Sequence, residues 1–214
     1  MKRGYLKKPL LFLVLGILFI LLFSGYSIKK QVDKHLQQAA QAALKQQTEE
    51  KLFFTKPNAI PVNTSIKIYK GKRILELYGD NKLMGRFKIG LGRAPEGIKE
   101  KEGDSKTPQG KYYVCSLNSQ TKYYFFMGLS YPNEDDAKRG LQQGLINQTE
   151  YNSIVQAVKN KKQPPWNTAL GGAVGIHGGG NSIDWTYGCI ALSNDDMKIL
   201  KEYIVLNTPV EIEK

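Results

Sequence analysis

The 214-residue sequence predicts a mainly β domain with added helices (α+β), preceded by a transmembrane helix and a helical stalk. Three observations predict it. An unbroken apolar run lies near the N-terminus, a Gln/Ala/Lys/Glu/Leu-rich stretch without Gly or Pro follows, and from Ser65 onward apolar residues alternate with a period of two.

The apolar run covers 9–23 without a charge, and 24–28 extend it to the roughly twenty residues that span a bilayer. Lys2, Arg3, Lys7 and Lys8 precede it, so residues 1–8 are expected as a short cytoplasmic tail and 9–28 as a single-pass anchor. No Ala-x-Ala site and no lipidation cysteine follow, which favours an uncleaved anchor over a cleaved signal. Either reading puts the remainder on the periplasmic or cell-wall side of the cytoplasmic membrane. Residues 29–59 then read as a stalk, helical over 31–54, with His35 as a solvated helix residue. Lys plus Arg number 31 against 19 Asp plus Glu, and half of the +12 excess sits in 1–34. That placement marks membrane topology and speaks against nucleic-acid binding.

The main domain, 60–214, opens with Ile66, Ile68, Leu75 and Leu77 alternating around Lys70-Gly71-Lys72, a hairpin. Leu83 to Leu91 keeps the same period and gives another strand, and the charged, Gly-containing 92–107 gives a loop. Segments 111–117 and 123–129 read as strands around the turn Asn118-Ser119-Gln120. Cys115 falls in the first, as a small core residue. Residues 133–163 form a helical insertion, with Asn133 capping a first turn that carries Glu134, Asp135 and Asp136, and a second helix beginning at Thr149. Residues 173–176 read as a short buried strand, Ser193 or Asn194 caps a last helix, and 210–212 form the closing strand.

Besides His35 the chain has one histidine, His177, twelve positions before Cys189, and glycines flank both. Two free thiols with different roles are preferred to a Cys115–Cys189 bridge, for which the sequence offers no geometry. An imidazole near a thiol promotes the thiolate that acts as nucleophile. Backbone amides of Gly188 and Cys189 are placed to meet an oxyanion. Spacing alone leaves two readings open, a catalytic pair or a buried thiol and a loop histidine. Two ligands are too few for zinc, and the glycine run lacks the Lys-Ser/Thr ending of a phosphate loop.

Ile176-His177-Gly178, Thr186-Tyr187-Gly188-Cys189-Ile190, Leu192 and Asn194-Asp195 resemble the active-site signature of the L,D-transpeptidase (YkuD-type) catalytic domain. Thr107-Pro108-Gln109-Gly110 resembles that family's turn before a central strand, and the likeness extends over about 62–212. It implies a β-sandwich-like domain acting on peptidoglycan stem peptides. Cys189 would be the nucleophile, His177 its base, and the Gly178 carbonyl the group that orients the imidazole. Tetrapeptide stems would be joined in 3→3 cross-links through a thioester, without metal, ATP or other cofactor.

The sequence departs from the family at Tyr187, where a second histidine is usual, at Ala191, where arginine is frequent, and in a shorter gap between His177 and Thr186. A stem carboxylate would then fall to Arg93, Lys106 or Arg139. Tyr187, Thr186, Trp185 and Asp184 stand as substrate-side candidates. Trp185 reads equally as a groove wall or a packing residue, and Asp184 as a solvated loop carboxylate or a partner of a substrate amine or of His177. Two rival readings are an L,D-specific hydrolase of the same fold and a non-catalytic wall-binding module. Oligomeric state is not legible.

Overall fold

A computed structural model describes residues 26–39, 41 and 51–214, and the chain divides between Lys51 and Leu52 into two units. In the first, residues 26–39 form helix α1, whose side chains, His35 included, are exposed. The expected anchor at 9–28 lies outside the described residues except for its last three, as does the stalk over 42–50. Among the described residues no helix is long and apolar enough to cross a membrane.

The second unit holds nine strands: β1 Phe53–Phe54, β2 Thr64–Tyr69, β3 Ile74–Gly79, β4 Lys82–Lys88, β5 Gly110–Asn118, β6 Phe126–Leu129, β7 Gly175–His177, β8 Ile190–Ala191 and β9 Pro209–Glu213. They form one sheet in the order β1-β4-β3-β2-β9-β5-β6-β7-β8. The expected hairpin is β2–β3, paired from Thr64↔Gly79 to Tyr69↔Ile74. Its alternation buries Ile66, Ile68, Leu75 and Leu77 completely, each worth about 1.5–3 kcal/mol of apolar burial. β9 lies parallel to β2 and antiparallel to β5, and so joins the two halves of the sheet.

This single sheet is curled. Beyond β4 the chain bridges at Gly90 to Ala191 of β8 and at Gly92 to Thr186. Gly92 is required by that closure, since a Cβ there would stand 2.1 Å from the Ser105 carbonyl oxygen.

Phe53 and Phe54, expected at the end of the stalk helix, instead form β1, with Phe53 opposite Arg86 and Phe54 opposite Gly85. The 123–129 strand is shorter than expected, because Tyr124 takes φ +70 and turns the chain before β6 begins. Cys115 sits at the β5–β6 register shift, half-buried, and both cysteines are free. Burial pushes its thiol up to about 11.

The helical insertion is a hairpin of α2 Glu134–Gln142 and α3 Gln148–Lys159, each opened by an asparagine capping box, Asn133 with Asp136 and Asn147 with Glu150. Ala137, Ile146 and Ile154 share a small core with Leu170. The last helix, α4 Asn194–Tyr203, is capped by Ser193 and turns Met197, Leu200 and Tyr203 onto the sheet.

Candidate active site

β7 and β8 bring His177 and Cys189 together. They are parallel neighbours, with Ile176 opposite Ile190 and His177 opposite Ala191. One residue back, that register sets Cys189 opposite Gly175, two residues from His177 and therefore on the same face. Strands about 4.8 Å apart and two residues of rise place the two Cα atoms at about 8 Å, a diagonal that side chains can bridge. No hydrogen bond joins the two side chains among the described residues. The Cys189 thiol faces the Ala173 carbonyl oxygen at 3.6 Å.

His177 is buried, and its Nδ1 lies 2.6 Å from the Gly178 carbonyl oxygen. A proton on Nδ1 would donate to that oxygen and leave Nε2 free to accept. Tyr123 stacks on the ring at 4.5 Å between centroids, and Trp185 meets it edge-on at 5.5 Å. Burial lowers the imidazole pKa, and the Gly178 carbonyl opposes that shift. Burial raises the Cys189 pKa, against the Gly175 backbone amide and the charge of Lys99. Both directions favour a neutral thiol beside a neutral imidazole at rest.

The turn before the nucleophile is built by Thr186. Its hydroxyl donates to the Cys189 carbonyl at 2.8 Å and accepts the Gly188 N–H at 3.1 Å. That bond corrects one expectation: the Gly188 amide is committed to Thr186 and is not free for an oxyanion. The residue itself needs glycine, at φ +131 with a would-be Cβ 2.7 Å from the Lys106 carbonyl oxygen.

Asp184 is neither a solvated carboxylate nor a partner of His177. It accepts from Arg73 Nη2 at 2.8 Å and Nε at 3.1 Å, and from the Leu91 N–H at 2.8 Å, and so ties the loop before Cys189 to the sheet. Of its two expected parts Trp185 takes the packing one, meeting His177 while its Nε1 donates to the Gly180 carbonyl at 3.0 Å; it is not among the residues lining the groove at Cys189. Arg93 lies over the exposed Tyr187 ring at 4.6 Å and donates to the Tyr187 hydroxyl at 3.3 Å and the Trp185 carbonyl at 3.1 Å. Arg139 is paired with Asp136 within and beside α2.

A groove of about 400 Å³ opens at Cys189, lined among others by Lys99, Glu102, Gly172, Ala173 and Tyr187. Lys99 and Glu102 were not legible as site residues, since a charged loop reads as solvated. Yet the Lys99 side chain is only 4% exposed, and it pairs with Asp104 at 2.7 Å.

The family model for the L,D-transpeptidase catalytic domain (YkuD) matches residues 63–212. No curated protein matches the chain. Among solved structures, the helical cell shape determining protein Pgp2 of Campylobacter jejuni is 25% identical, with 71% of this chain and 48% of that one covered and a TM-score of 0.48. Bd1075 of Bdellovibrio bacteriovorus is 21% identical, with coverages of 76% and 54% and a TM-score of 0.47. An L,D-transpeptidase fragment from Xylanimonas cellulosilytica is 13% identical, with coverages of 75% and 65% and a TM-score of 0.42. The chain thus spans about half to two thirds of the structures it matches.

Proposed function

Because the chain belongs to the L,D-transpeptidase catalytic domain family, we propose that it is a cysteine-dependent L,D-transpeptidase acting on peptidoglycan tetrapeptide stems. The observation that carries this reading is the parallel register of β7 and β8, which sets Cys189, the residue before β8, against Gly175 and diagonal to His177. In the proposed cycle the thiol gives its proton to Nε2 of His177 as sulfur attacks the carbonyl between the L-centre of the third residue and D-alanine. The C–N bond breaks, the imidazolium returns the proton to the departing D-alanine amine, and a thioester remains. An amine of a second stem then loses a proton to His177 and displaces the sulfur, which leaves a 3→3 cross-link and a free thiol.

The Gly178 carbonyl keeps Nε2 as the accepting nitrogen throughout. With the Gly188 amide held by Thr186, the Cys189 N–H is the remaining expected donor to the oxyanion. In the same reading residues 9–28 anchor the chain and the catalytic domain works outside the cytoplasmic membrane. The length of the apolar run and the basic residues before it support that placement.

Incubating the purified protein with tetrapeptide muropeptides tests the reading. Cross-linked dimers and exchange of D-amino acids are expected, and Cys189→Ala is expected to abolish both. Shortened monomers alone would make the protein an L,D-hydrolase. Unaltered wall chemistry in cells carrying Cys189→Ala would make it a binding module.

A further inference from the structure

We propose that Asn194 is a positioning residue for the His177 imidazole: it holds the peptide between Gly178 and Gly179 so that the carbonyl of that peptide keeps the ring proton on Nδ1. This rests on the transpeptidase reading, in which Nε2 is the nitrogen that accepts.

The turn after β7 is fastened at both ends and free in the middle. Leu192 closes it, its N–H donating to the His177 carbonyl and its carbonyl accepting the Gly180 N–H, each at 2.8 Å. Between those ties lie Gly178 and Gly179, and Gly179 takes φ +106. Glycine visits both signs of φ at little cost, so the peptide between them can turn over while its neighbours stay in place. A turned peptide would withdraw the Gly178 carbonyl, which lies 2.6 Å from Nδ1, and present an N–H to the ring instead. Tyr123, stacked on the ring, restrains its plane but does not select which nitrogen carries the proton.

The other end of the same peptide decides its orientation. Carbonyl and N–H of a trans peptide point in opposite directions across one rigid plane, so a partner for the Gly179 N–H also aims the Gly178 carbonyl. That partner is the Asn194 Oδ1, at 2.9 Å. The Asn194 side chain is spared for it because Ser193 caps α4, its hydroxyl accepting the Asp196 N–H at 3.1 Å. The approach requires glycine at 178, where a Cβ would stand 2.5 Å from Asn194 Oδ1 and 2.8 Å from the Tyr123 carbonyl oxygen. Asn194 is not among the residues lining the groove at Cys189, so it acts on the base and not on the substrate.

The experiment uses the full chain labelled with 15N on histidine alone. Ring resonances then come from His177 and from His35, whose exposed position in α1 makes it the reference. Turnover of tetrapeptide muropeptides supplies kcat and KM. In the wild type the neutral His177 ring is expected to carry its proton on Nδ1. Asn194→Ala is expected to shift that proton toward Nε2 and to lower kcat about tenfold, the scale of one hydrogen bond, with KM within about twofold. Asn194→Asp keeps the acceptor and is expected to retain the Nδ1 proton and at least about a third of kcat. A proton on Nε2 in the wild type, or a ring unmoved in Asn194→Ala, overturns the proposal whatever kcat does. So does Asn194→Asp behaving as Asn194→Ala does. Should Asn194→Ala fail to fold, Asn194→Leu, of similar shape and without an acceptor, takes its place. A ring that shifts in Asn194→Ala while the wild type turns over no muropeptide keeps the positioning role and overturns the transpeptidase reading.

Discussion

Replacing Asp184 by alanine separates a tie within the fold from a contact with substrate. The carboxylate holds the Leu91 N–H at 2.8 Å and the Arg73 guanidinium at 2.8–3.2 Å, with side chains 23% and 29% exposed. Leu91 is fully buried, so its orphaned N–H costs about 1–3 kcal/mol. The partly solvated ion pair adds about 1 kcal/mol. The total of about 2–4 kcal/mol, at roughly 2–4 °C per kcal/mol for a domain of this size, lowers Tm by about 4–16 °C. Asp184→Asn keeps an acceptor for Leu91 and should lose about a third of that. Scanning calorimetry and urea unfolding provide the measurement, with Arg73→Ala and the double variant closing a cycle whose coupling is expected near 1 kcal/mol. A Tm within about 2 °C of the wild type, together with a raised KM, would refute the reasoning and return Asp184 to the substrate.

Three further outcomes follow from the site and its supports. The acid limb of kcat/KM should fall below the ordinary histidine value of about 6.5, because burial lowers the His177 pKa and only the neutral ring accepts the thiol proton. Tyr123→Ala, which unstacks and hydrates the ring, should move that limb upward, and an unmoved limb counts against the stacking. By linkage the folded protein binds this proton less tightly than the unfolded chain, so stability present above about pH 6.5 is lost as pH falls through the lowered value. Leu170→Ala, at the junction of the helical hairpin and the groove wall, should cost about 2–5 kcal/mol in urea unfolding. Gly188→Ala, forced into φ +131 against the Lys106 carbonyl, should cost about 1–3 kcal/mol. Intact mass after alkylation should also show slower labelling of Cys189 in that variant.

How much of this was legible depended on whether the cause was local. The β2–β3 hairpin announces itself through alternation around Lys70-Gly71-Lys72, and the helices through Asn133 and Ser193, because the cap and the first turn lie within four residues. β1 and β8 are two residues each and exist only because β4 and β7 offer them a ladder. Tyr123 and Tyr124 carry the aromatic signature of a strand, but Tyr123 is used to stack on His177 and Tyr124 to turn the chain. The pairing of Asp184 is not legible in the sequence because Arg73 lies 111 positions away. The burial of Lys99 is not legible either, because a lysine in a charged loop reads as solvated and only the fold encloses it.

The strand that joins the two halves of the sheet, β9, is also the last of the nine in chain order. Until residues 209–213 arrive, β2 and β5 each have an open edge, and no strand lies between them. Assembly therefore waits on pairings between distant parts of the chain, a slow route by topology. A clip within those five residues would leave the nucleophile-bearing half held to the hairpin half by the Gly90 and Gly92 bridges and the Asp184 tie, without touching either Cys189 or His177.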